Sequence, residues 1–232
     1  MGRAAFLIGD LDPKITWVVK RLLKAGDTVL DVGANFGVIS LLMSKLVGPT
    51  GRVLAFEPNP DLETLLACTF YKRDNIKHYP VALGETRSQM TLHIPRGNYG
   101  GASLLDATAN FSHISHLVDV HKLDDILKSK TASHVSFMKL DVEGFEAKVL
   151  RGAAHTLQSD RPVVVFETSY GNCDALDLLA ASDYRFLTLP RCMVWMKTKI
   201  FNYASGMHPK SHDVVAIPRE QFDDIARVLR AN

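Results

Sequence analysis

The stretch from Gly26 to Gly37 constrains the fold of this chain more than any other. Val29, Leu30 and Val32 form an apolar run that is followed by Gly33 and Gly37. Such a run is typical of a parallel strand buried on both faces, and glycine lets the backbone turn tightly against a ligand. Residues 38–46 then show the apolar spacing of a helix. A strand, a glycine turn and a helix amino terminus in this order indicate a nucleotide-binding corner.

The glycine pattern favours one kind of nucleotide. A dinucleotide site uses Gly-x-Gly-x-x-Gly, in which the second glycine lets a pyrophosphate touch the backbone. Here Asn35 occupies that second position, and Asp31 precedes the glycines. S-adenosylmethionine suits this corner, because it carries a sulfonium and an ammonium and has no phosphate. The alternatives are an NAD-dependent oxidoreductase and a non-catalytic binding module on the same fold.

Four predicted strands end on acids. The strand at residues 51–56 leads to Glu57, whose carboxylate can accept hydrogen bonds from both ribose hydroxyls, and the others lead to Asp31, Asp141 and Glu167. In an open α/β sheet, ligands bind beyond the carboxyl ends of the strands. The acids therefore predict a binding site at that edge.

Three segments together resemble the FkbM-type methyltransferases, which are class I S-adenosylmethionine-dependent enzymes. They are residues 31–37 (DVGANFG), 56–60 (FEPNP) and 139–146 (KLDVEGFE). The resemblance implies a Rossmann-like, doubly wound α/β fold with helices on both faces. Its seven-stranded sheet is mostly parallel, with one strand reversed near the carboxyl end. S-adenosyl-L-methionine would be the cofactor and S-adenosyl-L-homocysteine the product.

The resemblance also implies the site residues. The cofactor-binding set is Asp31, Gly33, Ala34, Asn35, Gly37, Glu57, Pro58, Asn59, Ala82, Leu83 and Asp141. Asp141 and Glu143 are the catalytic candidates. Asp141 could orient the acceptor hydroxyl, accept its proton or hold the methionine ammonium. The two acids could also share magnesium, but one pair is too few for a metal site, so no metal is predicted.

We expect a single domain over residues 1–232. Residues 1–25 form an N-terminal helical cap. Its helix starts near Pro13 and is ended by Gly26, and Asp10 could face the site. Residues 87–105 form a β-hairpin insertion near the active site, in which residues 102–104 return as the partner strand.

Several further elements are predicted with less local signal. Asp124 and Asp125 would cap their own short surface helix, and residues 193–196 would pair with 184–189. Further acid–base candidates are the histidines His93, His113, His116, His121, His208 and His212.

Composition limits the partners. The net charge of +2 is too small for a nucleic-acid surface, and no apolar run is long enough to span a bilayer. Three cysteines, Cys68, Cys173 and Cys192, are expected to be buried free thiols in a reducing cytoplasm. By resemblance, the acceptor is a small molecule with a hydroxyl, such as a sugar or polyketide-type metabolite. The oligomeric state stays open.

Overall fold

The computed structural model describes residues 12–95, 101–105, 113–128, 134–168, 173–190, 198–204, 207, 209 and 213–230. Its strands are β1 Thr28–Val32, β2 Arg52–Phe56, β3 Ile76–Tyr79, β4 Ala82–Leu83, β5 Ser88–Pro95, β6 His113–His121, β7 Val135–Leu140, β8 Val163–Glu167, β9 Tyr184–Thr188, β10 Lys199–Phe201 and β11 Asp213–Pro218. Its α-helices are α1 Pro13–Leu22, α2 Val38–Val47, α3 Glu63–Thr69, α4 Leu123–Lys128, α5 Glu146–Gly152, α6 Ala154–Ser159, α7 Asp174–Ala181 and α8 Phe222–Arg230.

One large sheet organises the fold, in the order β3-β2-β1-β7-β8-β11-β9-β10. The strand β1 pairs in parallel with β2 on one side and with β7 on the other, so the chain reverses its direction of winding there. Ligands of doubly wound sheets bind at such a switch point, beyond the carboxyl ends of the strands.

The predicted fold class is confirmed, but the strand count was wrong. Eight strands, not seven, form the main sheet within the described residues. Two of them are reversed, because β11 is antiparallel to β8 and β9, and β10 is antiparallel to β9. The partner of β9 at the sheet edge is therefore β10, whereas the predicted strand at 193–196 lies outside the described residues.

Helices cover both faces of the main sheet. The strand β1 is buried along its whole length, and its side chains alternate between two cores. On one face the core contains Val18 of α1, Met43 of α2 and Phe222 of α8. On the other face it contains side chains from four helices, Leu123 of α4, Leu150 of α5, Leu157 of α6 and Leu176 of α7.

A second sheet of three strands, in the order β4-β6-β5, lies outside the main sheet. The alternation predicted β5 correctly, but its partner was wrong. The strand β5 pairs with β6 over eight residues, while the 102–104 segment makes a single bridge between Ser103 and His93. Four histidines lie on β5 and β6. Because the polar residues of β6 obscure its alternating pattern, the sequence did not predict this strand, whose inner face carries Val118 and Val120.

Several element ends differ from expectation. The helix α1 ends at Leu22 rather than at Gly26. The sequence predicts that the helix after Asp141 opens at Glu143 and Gly144, but it begins at Glu146. Cys68 is an exposed free thiol on α3, not a buried one, whereas Cys192 lies outside the described residues. No helix in the described part of the chain is long and apolar enough to cross a membrane.

Asp124 caps a neighbouring helix and not its own. Its carboxylate accepts hydrogen bonds from the backbone N–H groups of His155 (2.8 Å) and Thr156 (3.0 Å) at the start of α6. It also accepts one from the Thr156 hydroxyl at 2.7 Å. The cap is therefore a tertiary contact between α4 and α6, which a local sequence pattern does not reveal.

We expect Asp124→Ala to lower the free energy of unfolding by about 2 kcal/mol, because two helix amides and a buried hydroxyl lose their acceptor. Asp125→Ala is the matched control, since that side chain is 58% exposed. It should change stability by less than about 0.5 kcal/mol. Chemical denaturation followed by circular dichroism measures both variants, and equal losses would contradict this account.

Candidate active site

A cavity opens beyond the carboxyl ends of β1, β2 and β7. Its polar lining consists of Gly33, Asn35, Glu57, Asp141 and Glu143. Its apolar lining comes from the main sheet, the second sheet and the β7–α5 loop, namely Val32, Phe56, Pro58, Val81, Ala82, Leu83, Leu92, Ala102, Leu104, Val142 and Phe145. The cavity is thus charged at the strand ends and apolar elsewhere, which is the usual make-up of a cofactor site.

The glycine corner lies against the end of β7. The Gly33 N–H donates to the Phe56 carbonyl at 3.0 Å, and a Cβ atom on Gly33 would lie 1.9 Å from the Asp141 carbonyl oxygen. Gly33 also has a φ of +77°, which favours glycine. Asn35 has a φ of +49°, so it keeps the left-handed backbone that a glycine would adopt there.

Glu57 links the turn that follows β1 to the turn that follows β2. Its carboxylate accepts hydrogen bonds from the backbone N–H groups of Asn35 at 2.8 Å and Asn59 at 3.0 Å. Burial raises the pKa of Glu57 above its ordinary value, although these two amides and Lys139 act in the opposite direction. The two backbone bonds use part of the accepting capacity of the carboxylate and leave lone pairs for a ligand.

Lys139 is the centre of a charge cluster with Asp31 and Asp141 behind the cavity. Its side chain is buried, with only 7% of it exposed. Its Nζ donates to the Gly33 carbonyl oxygen at 2.6 Å and lies 3.3 Å from Asp31 Oδ1 and 3.5 Å from Asp141 Oδ2. Burial alone would lower the pKa of Lys139, but the negative charges of Asp31 and Asp141 outweigh it and raise that pKa. The lysine therefore stays charged and ties β1, the glycine corner and β7 together.

Glu143 and Glu146 have separate positions in the loop between β7 and α5. Glu143 lines the cavity with a φ of +51°, and Glu146 is buried, with its carboxylate accepting from the Gly144 N–H at 3.1 Å. Partial burial, helped by the charges of Asp141, Glu167 and Glu146, raises the pKa of Glu143 to about 7. Burial also raises the pKa of Glu146. Glu146 thus anchors the loop that presents Glu143.

The structure brings most of the predicted site residues to the cavity. Eight of them line it, namely Gly33, Asn35, Glu57, Pro58, Ala82, Leu83, Asp141 and Glu143. The other four are close in sequence but do not line it, namely Asp31, Ala34, Gly37 and Asn59. At Gly37 a Cβ atom would lie 2.7 Å from the Phe70 ring, so this glycine makes room for packing. The individual binding roles stay predictions.

Sequence reasoning gave no separate role to Lys139 or Glu146, and it did not identify the strand β6. Both charged residues belong to the motif at 139–146, but the contacts of Lys139 with Asp31 and Gly33 become visible only when β1 and β7 are paired. For Leu92, which lines the cavity, the alternation of apolar and polar residues in β5 was the sequence pattern that indicated an inward-facing side chain.

The histidines lie away from this cavity. His93, His113, His116 and His121 are on the second sheet, and none of them is among the lining residues. His116 Nε2 lies 3.3 Å from Asp61 Oδ1, which links that sheet to the turn after β2. Asp10, His208 and His212 lie outside the described residues. Within the described residues, no three His, Cys, Asp or Glu side chains are grouped as a metal site requires.

The cavity fits S-adenosyl-L-methionine. One buried side-chain atom of a lining residue, Asn35 Oδ1, has no hydrogen-bond partner within the described residues, so it is available to a polar ligand. The apolar side formed by Val81, Ala82 and Leu83 suits a flat uncharged ring such as adenine. When bound, this cofactor supplies an activated methyl group on its sulfonium.

Comparison with known proteins gives the class. A family model of the methyltransferase FkbM domain matches residues 31–230. The chain therefore belongs to the FkbM family of methyltransferases, and the predicted family and cofactor, S-adenosyl-L-methionine, are confirmed. This assignment leaves the NAD-dependent oxidoreductase alternative without support.

Individual relatives are distant. The 2-O-methyltransferase NoeI of Sinorhizobium fredii is 23% identical over 158 residues, which cover 62% of this chain and 64% of that protein. An FkbM methyltransferase from Methylobacillus flagellatus has a TM-score of 0.56 at 18% identity, covering 88% of this chain and 48% of that one. The O-methyltransferase TomG of Streptomyces achromogenes, solved with S-adenosylmethionine, has a TM-score of 0.51 at 12% identity, covering 93% and 86%. The chain thus spans about two thirds of NoeI and half of the Methylobacillus protein, and the structural likeness concerns the fold.

We expect Gly33→Ala to abolish binding of S-adenosyl-L-homocysteine, because its Cβ would overlap the Asp141 carbonyl and force the corner away from β7. Gly26→Ala is the matched control, since Gly26 has a φ of +91° but its Cβ would lie 3.8 Å from the nearest atom. It should lose about 1–2 kcal/mol of stability and keep binding. Titration calorimetry on folded variants measures this, and normal binding by Gly33→Ala would refute it.

Proposed function

We propose that this protein transfers a methyl group from S-adenosyl-L-methionine to a hydroxyl group of a small molecule, such as a sugar or a polyketide-type metabolite. The observation that carries the proposal is a single cavity that holds the cofactor corner around Glu57 and, beside it, the carboxylates of Asp141 and Glu143. A cationic methyl donor is already reactive, so the protein mainly has to align it with an oxygen nucleophile.

Different carboxylates serve the two ends of the cofactor in this proposal. Glu57 accepts hydrogen bonds from the ribose hydroxyls, because it lies at the end of β2 and keeps its accepting capacity. The apolar turn at Ala82 and Leu83 takes the adenine ring. Asp141, at the end of β7, is on the side of the methionine portion and of the departing methyl group.

Glu143 is the better candidate for the base that receives the acceptor's proton. Its pKa of about 7 lies near the pH at which a general base works best, and its side chain reaches the cavity. Asp141 is bound to Lys139 at 3.5 Å, which suits a fixed binding role. Proton transfer from the hydroxyl to Glu143 would accompany formation of the carbon–oxygen bond.

In this proposal the strand β5 and the 102–104 segment form the acceptor side of the cavity. Leu92, Ala102 and Leu104 come from the segment predicted as an insertion at 87–105, and they line the same cavity as the strand ends. NoeI and TomG are both O-methyltransferases by name, which supports a hydroxyl acceptor. A single domain, a cytoplasmic location and the absence of a nucleic-acid partner belong to the same proposal.

The first test is binding of S-adenosyl-L-homocysteine by titration calorimetry, with NAD as the comparison ligand. We expect the wild type to bind the former and not the latter. Glu57→Ala should weaken binding by about tenfold to a hundredfold, because charged hydrogen bonds to the ligand are lost. Glu63→Ala, on the exposed side of the neighbouring helix α3, should bind as the wild type does. A folded wild type that binds no S-adenosyl-L-homocysteine would refute the proposal.

The second test is the pH dependence of Glu143→Gln. The raised pKa of Glu143 means that its favourable contribution to stability is complete below its ordinary value of 4.5 and is lost as the pH rises through about 7. The variant should therefore be more stable than the wild type at pH 8, and this advantage should disappear at low pH.

Methyl transfer should respond in the opposite direction. Transfer by the wild type to a panel of glycosides and phenols, followed by mass spectrometry, should rise with pH around 7. Glu143→Gln should lose that rise and be slower by about a hundredfold or more. An unchanged rate and pH profile would exclude Glu143 as the base. Cofactor binding without transfer to any acceptor would favour a non-catalytic module.

A further inference from the structure

Asp31 does not face the cavity, although it precedes the glycine corner. Its side chain is 0% exposed and accepts a hydrogen bond from Ser40 Oγ at 2.6 Å. Asp31 and Lys139 are direct partners in the register of β1 and β7, which places their side chains together in the sheet. The carboxylate that reaches the cavity beside them is that of Asp141, with a side chain that is 48% exposed.

We propose that Lys139, held by Asp31, is a positioning residue that aims Asp141 at the amino-acid end of S-adenosyl-L-methionine. This inference rests on the proposed function, since it assigns a role within the same cofactor site. Asp31 would act indirectly, by fixing the position of Lys139. Asp141 would bind the ammonium group of the cofactor.

The geometry of the lysine supports this role. Lys139 Nζ donates a hydrogen bond to the Gly33 carbonyl oxygen and makes ion-pair contacts with Asp31 Oδ1 and Asp141 Oδ2, so it meets oxygen atoms from three places. Two of these partners, Asp31 and the Gly33 carbonyl, belong to β1 and the buried turn that follows it. The third partner is the half-exposed carboxylate of Asp141. Asp31 and the Gly33 carbonyl therefore fix the lysine, and the lysine sets the position of Asp141.

Charge explains why a lysine can stand behind a site for a cation. Asp31 and Lys139 offset each other inside the sheet, so the charge left toward the cavity is that of Asp141. Within the described residues, Lys139 is the cationic group in ion-pair contact with Asp141. Removing the pair leaves Asp141 in place but without its anchor, and a mobile carboxylate binds an ammonium less well because it must be ordered first.

Two ligands separate this role from general support of the fold. S-adenosyl-L-homocysteine carries the amino-acid end, whereas 5′-methylthioadenosine keeps the adenosine and the sulfur but lacks that end. The decisive variant is Asp31→Asn combined with Lys139→Met, because it removes both buried charges together and leaves neither of them as an unpaired ion in the core.

We expect the double variant to bind S-adenosyl-L-homocysteine about tenfold more weakly, the effect of one lost charged hydrogen bond, and to bind 5′-methylthioadenosine as the wild type does. Asp141→Asn, at a half-exposed position, should reproduce the same selective loss and keeps the test decisive where the double variant fails to fold. Lys45→Met, which removes an exposed lysine on α2, is the matched control and should change neither affinity. Titration calorimetry measures all four proteins.

Two results would overturn the inference while leaving the proposed function intact. One is an equal loss of both ligands in the folded double variant, which would make the pair structural. The other is normal binding of S-adenosyl-L-homocysteine by Asp141→Asn. A wild type that binds neither ligand would instead refute the proposed function, and the inference with it.

Discussion

The pairing of β1 with β2 on one side and β7 on the other is the constraint on which the site depends. Because the three strands are parallel, their carboxyl ends meet at one edge and bring Gly33, Glu57 and Asp141 together without help from a long loop. The same pairing places Lys139 opposite Asp31 inside the sheet. A slip of one residue between β1 and β7 would turn these two charges to opposite faces, so the register serves the core and the site at once.

Elements with a strong local signal could be predicted from the sequence. The buried apolar runs of β1, β2 and β7 and the glycine corner after β1 are of this kind, since each is decided by its own residues. Elements decided by a distant partner could not. The strand β6 became visible only through its pairing with β5, and Asp124 caps α6 across a tertiary contact. Local patterns carry no information on which neighbour satisfies a strand edge or a helix end.

The same distinction separates the predicted site from the observed one. Glu57, Asp141 and Glu143 line the cavity as expected, because they follow strands whose ends could be located. The strand β1 continues through Val32, so Asp31 lies within it and its side chain is covered. Lys139 gave no signal of its own, since a lysine in a buried strand is explained only by the carboxylates that surround it.

The separation of the two sheets has a consequence for how this fold can diversify. The second sheet has its own hydrogen-bond ladder, and none of its strands extends the main sheet. Changes on its inner face at Leu92 or in the adjoining segment at Leu104 can therefore reshape one wall of the cavity while the strand ends opposite stay in register. In the proposed function, selection could therefore alter what that wall recognises independently of the cofactor corner, so that one inherited scaffold could serve many acceptors.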